Sequence, residues 1–152
     1  MRRAVDLART VAGTTGSNPP VGAIIVAGDE VVGQGATGAG GRPHAEEQAL
    51  GQAGGSARSG TAYVTMEPCG ERSSGAISCA DRLAMAGVAR VVISAANPDP
   101  LSAGRGPQRL RAEGVAVESG FLADQTRALY ADFISVATAG RQKGGASPRR
   151  PS

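Results

Sequence analysis

The chain contains one histidine and two cysteines, so its capacity for metal or acid–base chemistry is concentrated in very few positions. His44 lies in "GGRPHAEEQAL", with Glu46 two positions further on; Cys69 lies in "YVTMEPCG", ten positions before Cys79. Two thiolates and one imidazole suit zinc in number and in chemistry. The thiolate charges balance a divalent ion, and three protein ligands leave the fourth position open, as catalytic zinc sites do. A carboxylate beside such a metal could take a proton from bound water and pass it to a leaving nitrogen. Zinc lowers the pKa of that water to about 7. The chemistry implied is hydrolytic attack on an amino-substituted ring carbon, releasing ammonia.

Each residue also has an ordinary structural reading. Glu46 and Glu47 fit first-turn acids that stabilise a helix dipole, and Glu47 is read as no more than that. A lone histidine is usually structural or exposed, and reduced cysteines are most often small buried hydrophobes. Taken together, the "PHAE" and "EPC" contexts favour the reactive reading over the separate structural ones.

The elements that must position these residues follow from pattern. "MRRAVDLART" has apolar residues at helical spacing, and "GTTGSNPP" ends it, with Asn18 before a proline biased to extended backbone. "VGAIIVAGDEVVGQG" predicts a hairpin of two strands around Gly28-Asp29. A helix is expected to start near Pro43, placing His44 in its first turn. There side chains lean back toward the N-terminus, so His44 and Glu46 can converge off the helix end. "TAYVTM" predicts a strand, and "EPCGERSSGAI" a loop. Ser78 three residues before Asp81 fits a capping-box variant that puts Cys79 in the first turn of a helix closed by Gly87. "ARVVISA" predicts a buried strand, "PQRLRAEG" a short helix starting at its proline, "VAVES" a fifth strand and "LADQTRALYADFISVA" a closing helix. Strands alternating with helices after a hairpin imply an α/β sandwich with a mostly parallel sheet. In such sheets, sites gather at the carboxyl ends of strands and the N-termini of helices.

Composition narrows the function classes. With 41% hydrophobic but only 3% aromatic residues, the core is expected to be aliphatic. No apolar run reaches the length of a membrane helix, and "MRRAVDLART" has neither the apolar core nor the cleavage site of a signal peptide, so a cytoplasmic protein with no membrane partner is expected. Thiols stay reduced there, which speaks against a disulfide. The formal charge is +3, yet Arg141, Lys143, Arg149 and Arg150 alone supply +4, which leaves the body at −1. Residues 138–152 are thus read as a basic, disordered tail and residues 1–137 as one domain. A near-neutral body with few aromatics lacks the basic groove and stacking rings of a strand-binding protein, which speaks against a nucleic-acid partner and a polynucleotide deaminase.

"PHAEEQAL", "TAYVTMEPC" and a later cysteine resemble the cytidine-deaminase-like zinc deaminases, whose pattern is H-x-E followed by P-C-x-x-C. His44, Ala45, Glu46, Pro68 and Cys69 match it, whereas nine residues, Gly70 to Ser78, separate the cysteines. The longer spacing is similar to the deaminases of bacterial riboflavin biosynthesis, which act on a diaminopyrimidine ribotide. "SNPPVGAIIV", "GVARVVISAANPDPLSAGRG" and "LRAEGVAVESGFLADQTRALYADF" carry that resemblance over residues 1 to 134. "GERSSGAIS" departs from that family, being one residue longer than usual and lacking its histidine, and Asn97-Pro98-Asp99-Pro100 replaces its Asp-Pro-Asn-Pro.

The resemblance implies a three-layer α/β/α sandwich around a mixed five-stranded sheet. It implies Zn2+ held by His44, Cys69 and Cys79, zinc hydroxide attacking the amino-bearing carbon, and Glu46 as proton shuttle. Asn18 and the backbone of Ala45 are expected to meet the substrate, joined by Glu71, Arg72 and Ser73 of the divergent loop. Arg72 suits a phosphate, because guanidinium groups bind phosphate oxygens bidentately, or it is a solvated loop charge. The partners implied are a small amino-heterocycle, a separate reductase (the tail being too short to hold one) and further copies of the chain in a homodimer or higher oligomer. Two other readings stay open: a zinc deaminase of another nucleobase, nucleoside or specialised heterocycle, and a non-catalytic zinc-binding module.

Overall fold

The computed structural model describes residues 1–72, 75–98 and 102–131. Helix α1, Arg2–Val11, is followed by the hairpin of β1, Gly22–Ala27, and β2, Glu30–Ala36. Then come α2, Ala45–Ala53; β3, Thr61–Met66; α3, Cys79–Met85; β4, Arg90–Ala95; α4, Arg105–Ala112; and β5, Ala116–Glu118. The chain is helical again over 123–131; the rest of the expected closing helix, and the tail, lie outside the described residues.

The strands form one five-stranded sheet in the order β2-β1-β3-β4-β5. β1 runs antiparallel to both β2 and β3, while β3, β4 and β5 are parallel. The sheet is therefore mixed, and less parallel than the alternation of strands and helices suggested. The reason is that β3 joins the inner strand of the hairpin, so the hairpin's reversal adds a second antiparallel pairing.

Alternation along the strands sorts the layers. Ala23 and Ile25 of β1, Ala62 and Val64 of β3, and Val91 and Ile93 of β4 pack with Ala45, Ala49 and Ala53 of α2, Leu83 of α3 and Leu110 of α4. Ile25, Leu83, Ile93 and Leu110 are fully buried; burial of such a side chain contributes about 1.5–3 kcal/mol. The intervening residues face the opposite layer. There Gly22 meets α1 at Ala4, and Thr65 and Ser94 bond Tyr130 and Thr126 of the 123–131 helix. The result is the expected three-layer α/β/α sandwich, with an aliphatic core. Among the described residues no helix is long and apolar enough to cross a membrane.

Two close approaches seat the segments that carry the chemistry. A Cβ on Gly35 of β2 would come within 2.5 Å of the Ala45 carbonyl oxygen, so its glycine lets the start of α2 lie directly on the sheet. A Cβ on Gly106 would run into the Pro68 carbonyl, so α4 can press against the chain just before Cys69 only because that side chain is absent. Pro107 is the third residue of α4 rather than its start, and Gly104, at φ 80°, precedes the helix.

Candidate metal centre and active site

Three segments converge at the carboxyl end of β3. His44 caps the N-terminus of α2 with extended backbone, φ −68° and ψ 156°, so it stands just before the helix instead of in its first turn. Pro43 accordingly lies outside the helix that was expected to begin there. Cys69 follows β3 by three residues, and Cys79 is the first residue of α3. The Ser78 hydroxyl accepts the Asp81 N–H at 3.1 Å, which is the cap expected from the sequence.

The donor atoms of His44, Cys69 and Cys79 all lie within 4.8 Å of one another. His44 Nδ1 is 3.2 Å from Cys79 Sγ, and the Cys79 backbone N–H donates to Cys69 Sγ at 3.2 Å. A tetrahedral zinc with ordinary bond lengths holds sulfur–sulfur and sulfur–nitrogen pairs roughly 3.6–3.8 Å apart. The His44–Cys79 pair is a few tenths of an ångström short of that spacing, and the two sulfurs and one imidazole are a donor set that zinc favours.

Electrostatics within the cluster differ sharply from atom to atom. Cys69 is pulled down to about 4, first by the Cys79 thiol hydrogen-bonding to it, then by His44 and the Cys79 backbone N–H, against the opposing effect of burial. Cys79, which is fully buried, is pushed far upward by that same hydrogen bond and by burial, so the two sulfurs share one proton. His44 is raised, chiefly by hydrogen bonding to Cys69. Glu46 is only 4% exposed and is pushed up to about 7, mainly by burial, with the Cys69 charge adding to the push and its own backbone N–H opposing it. A carboxyl poised near neutrality can both accept and return a proton.

A cavity of about 170 Å³ opens beside these groups. His44, Ala45, Glu46 and Cys69 line it together with Asn18, so five residues named from the sequence meet here. The Asn18 amide Nδ2 donates to the Gly41 carbonyl at 3.1 Å. Glu71 is elsewhere, on the surface with Arg105 at 3.3 Å. Arg72 is neither solvated nor in the cavity wall; it pairs with Glu47, which does more than stabilise a helix dipole. Ser73 lies outside the described residues. Sequence reasoning passed over Thr37, Met66 and Glu67, which also line the cavity. Glu67 could have been found, since it stands in the same "EPC" run as Cys69; its carboxylate accepts the Gly104 N–H at 2.8 Å.

Comparison with known proteins agrees with this geometry. The family model for the cytidine and deoxycytidylate deaminase zinc-binding region matches residues 1–95. The riboflavin biosynthesis protein RibD of Synechocystis is 45% identical over 120 residues, which are 79% of this chain and 32% of that protein. The diaminohydroxyphosphoribosylamino-pyrimidine deaminase of Buchnera aphidicola from Acyrthosiphon pisum is 38% identical over 134 residues, 88% of this chain and 90% of the relative. The solved deaminase/reductase of Thermotoga maritima superposes with a TM-score of 0.84 at 34% identity, over 92% of this chain and 40% of that one. The chain thus spans about a third of the length of the RibD relatives and nearly all of the Buchnera deaminase. By sequence over most of its length and by fold, the chain belongs to the cytidine and deoxycytidylate deaminase zinc-binding family, and within it is similar to the RibD proteins and to the Buchnera deaminase.

Proposed function

We propose that this domain hydrolyses an amino group from a diaminopyrimidine ribotide, with His44, Cys69 and Cys79 holding zinc and Glu46 moving the proton. The substrate is the one for which the Buchnera relative is named. The observation that carries the reading is Glu46, a buried carboxyl raised to about 7 in the wall of a cavity that also exposes two of three clustered zinc donors.

When bound, zinc supplies the Lewis acidity that makes water nucleophilic near neutral pH. Glu46 takes a proton from the attacking water at its carboxylate and, as the acid, returns it to the departing nitrogen. A carbon–oxygen bond forms, the exocyclic carbon–nitrogen bond breaks, and the products are ammonia and a ring carbonyl. Asn18 is held through Nδ2, which leaves its Oδ1 as an acceptor for a ring or hydroxyl donor. Ala45, the first residue of α2, offers a backbone N–H with no acceptor inside its helix. The product's consumer is a reductase, the activity paired with deamination in the Thermotoga protein.

The test is ammonia release from the ribotide by zinc-loaded protein, beside Glu46→Ala and a panel containing cytidine and deoxycytidylate. Release from the ribotide that disappears in the variant supports the reading. Release from a panel member alone replaces the substrate, and no release from any of them by the zinc-loaded protein refutes the enzymatic assignment.

A further inference from the structure

The Arg72–Glu47 ion pair is the feature this chemistry leaves unused. Arg72 Nη1 lies 2.6 Å from Glu47 Oε1, and the two side chains are only 7% and 20% exposed. Arg72 Nε is buried without a hydrogen-bond partner. A guanidinium so far removed from water is costly unless its carboxylate partner is kept in place. Position in the chain suggests why it is there. Glu47 stands three residues after His44, and Arg72 three residues after Cys69. The pair therefore joins the two segments that bring the imidazole and the first thiol.

The cysteine segment needs such a tie. Residues 67–72 and 75–78 belong to no helix or strand, although Glu67 is tied to β4, its N–H donating to the Ala95 carbonyl at 2.9 Å. Besides the hydrogen bonding of Cys69 to His44, three of their anchors lead to α3 and α4. The Cys69 carbonyl accepts the Ala80 N–H at 3.0 Å, Cys69 Sγ accepts the Cys79 N–H at 3.2 Å, and Glu67 accepts the Gly104 N–H at 2.8 Å. These bonds secure the cysteines to α3 and α4, whereas His44 and Glu46 ride on α2.

We propose that the Arg72–Glu47 pair is a positioning clamp, which docks the intercysteine loop on α2 and so preassembles His44, Cys69 and Cys79 for the metal. Arg72 acts through the loop and touches neither metal nor substrate. The proposal rests on reading these three residues as zinc ligands.

Zinc affinity, measured by competition with a chromophoric chelator, tests it without reference to activity. Arg72→Ala and Glu47→Gln are each expected to raise the zinc Kd about 10–100-fold, as loss of a ligand-orienting partner does. Arg72→Lys, which keeps the charge, should recover part of the loss. The double variant Arg72→Ala/Glu47→Ala should be no worse than the poorer single, because the two act as one unit. It also removes both buried charges, which guards against misfolding of the singles. A zinc Kd within twofold of the parent in all variants, with only the metal-free melting temperature lowered, would make the pair merely structural and overturn the clamp. So would an unchanged zinc Kd with KM raised for the phosphorylated substrate alone, which would make Arg72 a phosphate contact. A parent protein that binds no zinc would instead remove the metal reading beneath the proposal, and the clamp with it.

Discussion

Replacing Glu46 by glutamine keeps the side chain's volume and removes only its capacity to carry a proton. Because Glu46 is 4% exposed, the packing around it should survive the change. General acid–base catalysis contributes about 10²–10⁴ in rate, so kcat should fall by that factor, about 3–5 kcal/mol in the barrier, with zinc content unchanged. The same substitution should have the opposite effect on the stability of the metal-free protein. Glu46 is raised from 4.5 to about 7 in the fold, and at 1.36 kcal/mol per pH unit its charged form is disfavoured by about 3 kcal/mol. A raised carboxyl pKa means that the folded state holds the proton longer than the unfolded chain does. Its contribution is therefore present below the unfolded value and lost as pH rises through 7. The stability of Glu46→Gln relative to the parent should accordingly grow by up to about 3 kcal/mol between pH 4 and pH 8, both measured by urea unfolding with chelator present. Taking the difference between the two proteins cancels the titration of shared groups that do not interact with Glu46. Undiminished turnover by the zinc-loaded variant would remove Glu46 from the proton path. A stability difference that does not change with pH would show that burial leaves its carboxyl ordinary.

Cys79→Ser, at a fully buried position at the start of α3, should abolish stoichiometric zinc retention while leaving far-UV circular dichroism intact; full metal content by mass spectrometry would remove Cys79 from the ligand set. Gly106→Ala forces a Cβ into the Pro68 carbonyl and should destabilise the fold by about 1–3 kcal/mol, with the zinc Kd rising because Cys69 is the next residue; unchanged melting and affinity would contradict the close approach. Tyr130, 2% exposed, bonds Thr65 at 2.7 Å and the Pro20 carbonyl at 2.8 Å, so Tyr130→Phe should lower stability by about 1–3 kcal/mol with little effect on zinc binding.

What was legible from sequence was what local periodicity and chemical scarcity encode. The hairpin around Gly28-Asp29, the Ser78 cap and the strand over "ARVVISA" each express a short-range rule, and each stands where expected. The single histidine and two cysteines could be singled out because nothing else in the chain offered the same chemistry. What depended on distant partners was not legible. The share of parallel pairing turns on β3 joining β1 as well as β4. Nothing near Arg72 in sequence announces Glu47, 25 residues away, and the Thr65–Tyr130 bond spans 65 residues. The start of α2 was displaced from Pro43 to Ala45, so His44 stands at the cap, with its Nδ1 3.2 Å from Cys79 Sγ, a partner 35 residues away that local sequence does not announce.

That displacement bears on how the fold serves the chemistry. Every helix leaves its first N–H groups without acceptors inside the helix. Here the start of α3 directs one of them, from Cys79, at Cys69 Sγ, where it helps hold that sulfur as a thiolate at about 4. At the start of α2 the cap position carries His44, and the buried first turn raises Glu46 to about 7. Two adjoining helix starts thus hold two acids far apart, one lowered to about 4 and so fit to hold a cation, the other left able to exchange a proton near neutrality. A metal ligand that ionises readily and a carboxyl that titrates near the working pH are what metal-assisted acid–base catalysis uses. The separation comes from the Cys79 thiol bonded to Cys69 on one side and the burial of Glu46 on the other, and the sandwich seats both segments through Gly35 beneath α2 and Gly106 beside Pro68, so the site's chemistry depends on the layer packing as well as on its ligands.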